Sequence, residues 1–271
     1  MVSLDRTQAT LQVLRRRRYA GGVNFIRSVD ASAPDLAVDV SGCLTGQTPV
    51  VLVHGMGGDH TTWGPTVRTL RATCRPTVAV DLRGHGRSGR SDSYRLDDFA
   101  ADIDRVVGGL KLARFDLVGH SLGAHAALRY AMTSPARVRR LVLEEVPPMP
   151  RDDADAAEDI APTASFGERI RGFGALLANP GPFLRYDRAL GEPVMTQFQT
   201  PDPQWWASLR NVSAPTLVVS GGARSFLPAH HLRSVAEALP NADFVRIEAG
   251  HSVHRDASPE FLSALLAHLD D

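Results

Sequence analysis

Short apolar runs, separated by segments with helical spacing, are the feature that most restricts how this chain can fold. Continuous apolar runs of this length are typical of strands that are buried on both faces. Their alternation with helices requires crossover connections, and these predict a parallel sheet. We therefore predict an α/β fold. The runs are rich in Val and Leu and cover residues 50–53, 77–80, 115–118, 141–143, 216–219 and 244–247.

Additional elements follow from the spacing of apolar residues. In residues 36–40, Leu36, Val38 and Val40 alternate with less apolar positions, which predicts a half-exposed antiparallel strand at the sheet edge. Two of the predicted helices begin with Pro, which suits a first helical turn. The predicted helices cover residues 96–112, 122–132, 228–239 and 259–269.

Residues 147–212 break this alternation. They contain no convincing strand, carry an acidic cluster at 152–159 and are rich in Pro and Gly. The segment is too long for a simple connection in a compact sheet, so it is either a helical insertion or a functional lid. We predict a lid of several short helices inserted after the sixth strand, on a core formed by residues 1–146 and 213–271. Because the sheet is complete without it, we expect the segment to influence substrate preference more than folding.

Composition narrows the classes of partner. The 271 residues include 30 Lys+Arg and 30 Asp+Glu, so the formal net charge is +0 and no overall field favours nucleic acid or an anionic membrane. No apolar stretch is long enough for a transmembrane helix. Cys43 and Cys74 cannot form a disulfide framework, and we interpret them as free thiols in a reducing compartment. We expect a cytoplasmic monomer or homodimer that acts on a small molecule.

The amino-terminal segment carries four consecutive arginines, Arg15 to Arg18. No apolar stretch follows them, as a secretory signal would require. We interpret this patch as the basic end of a surface helix, and an acidic or phosphate-rich partner is the alternative.

A G-x-S-x-G motif, residues 119–123, lies between a predicted strand and a predicted helix. In this context the motif is typical of a tight turn that presents a serine hydroxyl. Glycines on both sides allow the strand and the helix to approach each other closely. The pattern predicts that Ser121 is a nucleophile.

A glycine-rich loop, residues 54–58, follows the strand at 50–53. Such a loop can direct backbone N–H groups at a developing oxyanion, and the residue after the serine can supply a second donor. We expect the amides of Met56 and Leu122 to form this oxyanion hole. A phosphate-binding loop is the alternative, but neither G-K-[ST] nor G-x-G-x-x-G is present.

These motifs resemble those of the α/β-hydrolase fold superfamily, in particular its lid-bearing esterases, lactonases and C–C bond hydrolases. The resemblance extends from residue 36 to the carboxyl terminus and includes residues 81–88, which match the family's turn after the next strand. It implies a mostly parallel eight-stranded sheet with helices on both faces and a helical lid. It also implies that His251, in the loop after the last strand, is the catalytic base, with His254 as the alternative.

The third catalytic residue departs from the commonest family pattern. The family usually supplies an Asp just after the strand matched by residues 216–220, but no carboxylate lies between Asp202 and Glu237. In some members the acid comes from the end of the preceding strand, where Glu145 matches best. Glu144, Asp256 or a dyad without an acid remain alternatives, and Glu144→Gln should be mild if Glu145 is the acid.

The other histidines have different expected roles. His54 and His85 should be structural hydrogen-bonding residues near the serine turn, and His120 should shape that turn. No H-E-x-x-H pair or Cys/His cluster occurs in the sequence, so we expect no metal and no cofactor.

The resemblance implies a serine hydrolase that cleaves a small to medium ester, lactone or thioester through an acyl-enzyme. Ser121 argues against dehalogenases and epoxide hydrolases, which use an Asp at this turn. Two alternatives stay open: a C–C bond hydrolase, and a ligand-binding or sensing protein with a vestigial triad. The aromatics of the 147–212 segment should either line an apolar pocket or pack the segment onto the core. They are Phe166, Phe173, Phe183, Phe198, Trp205 and Trp206.

Overall fold

The computed structural model describes residues 23–28, 30, 33–157, 179 and 181–270. These residues form an eight-stranded sheet in the order β1-β2-β4-β3-β5-β6-β7-β8. The predicted α/β fold with a mostly parallel sheet is confirmed. The strands are β1 (Val23–Ile26), β2 (Leu36–Ser41), β3 (Val50–Val53), β4 (Thr77–Val80), β5 (Phe115–His120), β6 (Val138–Glu144), β7 (Thr216–Ser220) and β8 (Ala242–Arg246).

Strands β3 to β8 pair in parallel, whereas β2 is antiparallel to both β1 and β4. The prediction that residues 36–40 form an antiparallel strand is confirmed, but its placement at the sheet edge is wrong because β1 lies outside it. Only the first and last residues of β1 are buried. That four-residue pattern does not alternate, so no periodicity in the sequence predicts this strand.

Six helices surround the sheet, and four of them match the predicted positions. The additional helix over Gly64–Ala72 has Pro65 in its first turn, where the missing N–H costs nothing. These helices are α1 (Gly64–Ala72), α2 (Leu96–Gly109), α3 (Leu122–Thr133), α8 (Ala229–Ala238), α9 (Val253–Asp256) and α10 (Ser258–Asp270). The numbers α4 to α7 belong to shorter helices within residues 147–212, whose ranges are given below.

The central strands of the sheet are buried on both faces, and alternate residues of one strand enter different apolar clusters. In β3, Val51 and Val53 belong to the cluster that α2 and α3 cover. Val50 and Leu52 belong to the cluster on the opposite face, with Trp63 and α10. This two-sided burial explains why the strands are continuously apolar.

The described part of residues 147–212 is helical and contains no strand. Its helices are α4 (Asp153–Ala157), α5 (Gly181–Leu184), α6 (Gly191–Phe198) and α7 (Pro203–Ser208). Leu190, Val194 and Trp205 are at most 2% exposed and belong to the larger apolar cluster. Part of the segment therefore packs into the core. Whether it acts as a lid stays a prediction.

Several predicted features lie outside the described residues: Arg15 to Arg18, Phe166, Phe173 and the side chain of Phe183. Both cysteines are free and exposed. None of the helices that the described residues form is both long and apolar enough to cross a membrane.

Candidate active site

Ser121 occupies the sharp turn between β5 and α3. Its backbone has φ 52° and ψ −119°, a left-handed conformation that L-residues rarely adopt. The turn is held by its backbone N–H, which donates to the carbonyl of Glu144 at 2.9 Å. Strained backbone of this kind persists only where surrounding contacts enforce it, and it is typical of functional sites.

The glycines of the motif are required by close packing. A Cβ on Gly119 would lie 2.5 Å from the carbonyl oxygen of Gly123, and a Cβ on Gly123 would lie 2.4 Å from the carbonyl oxygens of Val53 and His54. These distances are well inside van der Waals contact. The turn therefore sits directly against the end of β3, as the motif predicts.

His251, in the loop after β8, contacts both other predicted site residues. Its Nε2 lies 2.9 Å from the hydroxyl oxygen of Ser121, and its Nδ1 lies 3.0 Å from Oε2 of Glu145. A carboxylate only accepts, so Nδ1 donates to Glu145 and Nε2 is left to accept from the serine hydroxyl. The ring of Phe226 packs on the imidazole at 4.1 Å between centroids.

Glu145 follows the last residue of β6 and is completely buried. Its Oε1 accepts from the backbone N–H of Gly221 at 2.5 Å, and its Oε2 also accepts from the hydroxyl of Ser225. Both donors belong to the loop after β7, which contains no carboxylate. These two donors were not predicted from the sequence, although the absence of a carboxylate from the loop that holds them was the available signal.

The alternative residues have other partners. Glu144 accepts from the backbone N–H of His254 at 2.9 Å and from its ring Nδ1 at 2.8 Å. Burial alone would raise the pKa of Glu144, but the nearby His254 and His120 rings outweigh it and hold the pKa below its ordinary value. Asp256 accepts from Arg255 at 2.7 Å. Glu145 is the carboxylate that reaches His251.

The predicted oxyanion donors flank Ser121. Leu122 is the first residue of α3, so its N–H has no acceptor within the helix. Residues 55–58 form a turn closed by a 3.0 Å bond from Gly58 N–H to the Gly55 carbonyl, with Met56 in its second position. A Cβ on Gly55 would lie 3.0 Å from Cβ of Ser121. The loop that bears Met56 therefore runs alongside the serine.

His54 and His85 make structural hydrogen bonds of the expected kind. His54 donates from Nδ1 to the Gly55 carbonyl at 2.7 Å and accepts at Nε2 from Leu82 N–H. His85 likewise accepts at Nε2 from Gly57 N–H, 3.1 Å away. Burial lowers the pKa of His54 to about 4 and of His85 to about 3, so both rings are neutral acceptors at neutral pH.

His120, next to Ser121, donates from Nε2 to the backbone carbonyl of His251 at 2.7 Å. Burial lowers its pKa to about 3, so the ring is neutral. His120 therefore links the serine turn to the histidine loop through a single neutral hydrogen bond.

Among the residues that the structure describes, two clusters have ligand atoms close enough to hold a cation: His120 with Glu144 and His254, and Asp59 with His60 and Asp81. Each is already internally bonded. His254 donates to Glu144, and His60 Nδ1 donates to Asp81 at 2.8 Å. Burial alone would lower the pKa of His60, but Asp81 raises it, which favours an ion pair. We interpret both clusters as hydrogen-bonded pairs rather than metal centres.

The described aromatics of the 147–212 segment attach it to the core. Trp205 stacks on His125 of α3 with 5.4 Å between ring centroids, and Phe198 meets the same imidazole edge-on at 4.9 Å. Trp206 packs against the larger apolar cluster, and its Nε1 donates to the Met149 carbonyl within the segment at 2.7 Å. The aromatic side chains of this segment were predicted either to line an apolar pocket or to pack the segment onto the core. These three residues pack it onto the core.

The model of the alpha/beta hydrolase family matches residues 50–265. This range contains the serine turn, the glycine-rich loop and the histidine loop described above. The chain belongs to the alpha/beta hydrolase family. The matched range begins at β3 and ends within α10.

Curated relatives agree with this assignment. The sn-1-specific diacylglycerol lipase ABHD11 of Danio rerio is 24% identical over 267 residues, covering 88% of this chain and 84% of the lipase. The 1-acylglycerol-3-phosphate O-acyltransferase ABHD5 of Rattus norvegicus is 30% identical over 271 residues, covering 80% of this chain and 76% of the relative.

A solved structure of similar fold is an esterase (EaEST) from Exiguobacterium antarcticum. It superposes with a TM-score of 0.75 at 21% identity, covering 91% of this chain and 99% of the esterase. At this identity the likeness shows the fold alone. Family membership and the curated lipase relative support a general hydrolase activity.

Proposed function

We propose that this chain is a serine hydrolase that cleaves a carboxylic ester, lactone or thioester through an acyl-enzyme on Ser121. The observation that carries the proposal is the continuous hydrogen-bonded chain from Ser121 Oγ to His251 and on to Glu145, with distances of 2.9 and 3.0 Å. A nucleophile, a base and an orienting acid in this order are the elements that acyl transfer needs.

In the proposed mechanism, His251 Nε2 takes the proton of Ser121 as the hydroxyl attacks the substrate carbonyl. Glu145 holds the Nδ1 proton in place and stabilises the imidazolium that forms. His251 then returns the proton to the leaving group and activates water for deacylation. The proposed oxyanion hole consists of the backbone amides of Met56 and Leu122, the second of which also benefits from the positive end of the α3 dipole.

The surroundings of Glu145 support its role as the acid. It is completely buried, and its carboxylate accepts from Gly221 N–H and the Ser225 hydroxyl in addition to His251. Three donors compensate the cost of burying a charged carboxylate and fix its orientation. A binding protein with a vestigial triad would not require this arrangement, so it argues against that alternative.

The proposal specifies the type of bond that is cleaved and a class of substrate to assay first. The names of both curated relatives specify acylglycerols, and this makes acyl esters of glycerol the first class to assay. C–C bond hydrolysis by the same serine is the second candidate. The apolar ring of Phe226 against His251 favours a substrate whose reacting carbonyl carries an apolar group.

A fluorophosphonate probe tests the proposal directly, because it reacts only with an activated serine. We expect stoichiometric labelling of the pure protein, with the adduct mapped to Ser121 by peptide mass spectrometry. The Ser121→Ala variant is the control and should remain unlabelled. Absence of labelling in the folded wild-type protein would overturn the proposal.

A panel of substrates separates the bond types. p-Nitrophenyl esters of short and long acyl chains, a lactone, an acyl thioester, a diacylglycerol and a diketone as the C–C bond substrate should be compared by kcat/KM on the same preparation. Activity confined to a C–C bond substrate would replace the ester hydrolase assignment.

A further inference from the structure

A second histidine–glutamate pair lies directly beside the proposed triad. Glu144 directly precedes Glu145, and His254 follows His251 by three residues. Both Glu144 and His254 are buried, with 0% and 4% of their surface exposed. The imidazole of His254 is also covered by Trp63, which stacks on it with 4.3 Å between ring centroids. The pair is therefore shielded from solvent, and the proposed chemistry does not use it.

Glu144 contacts both the serine turn and the loop that carries His251. Its backbone carbonyl accepts from the N–H of Ser121 at 2.9 Å, which fixes the serine turn to the end of β6. Its carboxylate accepts from both the backbone N–H and the ring of His254, at 2.9 and 2.8 Å. One residue therefore joins the serine turn to the loop that carries the histidine.

The histidine loop is anchored before and after the His251 side chain. Before it, the backbone N–H of Gly250 donates to the Gly221 carbonyl at 2.9 Å. After it, His120 donates to the carbonyl of His251 at 2.7 Å, and Glu144 accepts from the N–H of His254 at 2.9 Å. The two later anchors come from the ends of the neighbouring strands β5 and β6, so they tie the histidine loop to the strand end that carries Ser121.

We propose that Glu144 and His254 are positioning residues whose buried hydrogen bonds hold the His251 loop in register with Ser121. The inference rests on the proposed function, because it assigns a task to residues that do not touch the reacting atoms. It differs from a purely structural role in one respect: loss of the pair should impair the reaction in protein that is still fully folded.

The first test replaces Glu144 by Gln, which keeps the shape but removes the charge. A misplacement of about 1 Å in a catalytic group can cost about 10²-fold. We therefore expect Glu144→Gln to lower kcat and the fluorophosphonate labelling rate by roughly 10- to 100-fold with KM within about threefold. This exceeds the mild effect that the sequence suggested. Assays are run well below the thermal midpoint of each variant.

Asp116→Asn is the matched control. Asp116 is another fully buried carboxylate, bonded to Arg139 at 2.7 and 2.8 Å, but it lies near the start of β5, away from Ser121. This variant should lose stability while kcat and the labelling rate stay at wild-type values.

Substitutions of His254 provide a rescue test. Asn places an amide donor near the position of Nδ1, whereas Leu packs against Trp63 without a donor. We expect His254→Asn to retain more activity than His254→Leu. The double variant Glu144→Gln/His254→Leu should be no worse than its poorer single parent, because both changes break the same contact.

The imidazole ¹⁵N resonances of His251, assigned against a His251→Gln variant, give a readout that does not require turnover. We expect Glu144→Gln to shift or broaden them and Asp116→Asn to leave them unchanged. If Glu144→Gln matches Asp116→Asn in kcat, labelling rate and ¹⁵N spectrum, the positioning role is wrong. If wild-type protein is not labelled at Ser121, the proposed function fails, and the ¹⁵N comparison alone then decides the positioning role.

Discussion

Glu145 and His251 meet across 106 positions of the chain, with Oε2 of the carboxylate 3.0 Å from Nδ1 of the imidazole. The sheet order explains the meeting, because β6 lies between β5, which leads into Ser121, and β7. An acid at the end of β6 is therefore next to the serine turn. The loop after β7, where the family usually carries the acid, instead supplies two donors to Glu145.

Replacing Glu145 by Gln should lower kcat by roughly 10² to 10⁴ with little change in KM, because the charge acts mainly on the imidazolium of the transition state. Steady-state kinetics on a p-nitrophenyl ester measure both constants. Glu248→Gln is the control, since Glu248 lies on the His251 side of β8 but is half exposed and accepts from Arg246. Near-normal kcat for Glu145→Gln would remove Glu145 from the triad.

The fold could be predicted largely from the sequence because β3 to β7 are largely buried on both faces and therefore leave continuous apolar runs. β1 could not, because only Val23 and Ile26 at its ends are buried and its middle residues are half exposed. Its place at the edge depends on pairing with β2 and not on a pattern of its own.

The family resemblance alone favours Glu145 over Glu144. The residues themselves could not decide, because they are adjacent and the direction of each side chain depends on the backbone. In a regular strand their side chains would point to opposite faces. Glu145 instead has φ 53°, so the chain turns at this residue. No sequence pattern predicts that turn. In the folded chain the carboxylate of Glu145 reaches His251, and that of Glu144 reaches His254.

The strain at Ser121 predicts a difference between two inactive variants. Ser121→Ala and Ser121→Gly both remove the hydroxyl and should lose about 10³-fold or more in activity. Glycine adopts a positive φ without steric cost, so Ser121→Gly should be roughly 1–2 kcal/mol more stable than Ser121→Ala. Urea unfolding measures the difference. Equal stabilities would mean that the turn at φ 52° is not strained in solution.

The packing of Leu190, Val194 and Trp205 refines the prediction for the 147–212 segment. These side chains are at most 2% exposed, so deleting the whole segment should prevent folding. Replacing only α4, in which no residue is buried, by a Gly/Ser linker should leave the thermal unfolding transition cooperative and change KM and acyl-chain preference. Circular dichroism and kinetics on esters of different chain length check both outcomes. Unchanged KM across all chain lengths would contradict a lid role for this part of the segment.

Buried neutral histidines predict that the protein loses stability in mild acid. Burial lowers the pKa to about 4 for His54 and to about 3 for His85, His120 and His125. In the unfolded chain these rings titrate near their ordinary pKa of about 6.5. As pH falls below that value, the unfolded state binds protons that the folded state does not. Their contribution to stability is therefore complete above about pH 6.5 and is progressively lost below it, down to the folded-state values.

Each such histidine should contribute a slope of up to about 1.4 kcal/mol per pH unit. His125 can test this, since its side chain donates from Nδ1 to the Pro147 carbonyl at 2.9 Å and accepts from Arg129 at 2.8 Å, and neither contact involves the Ser121 side chain. His125→Gln should destabilise the protein at about pH 7.5 yet reduce the slope between about pH 6 and pH 5 by roughly 1.4 kcal/mol per unit. Urea unfolding across this range measures the slope for both proteins. An unchanged slope would mean that His125 is protonated in the folded state, and the stack with Trp205 would then hold an imidazolium.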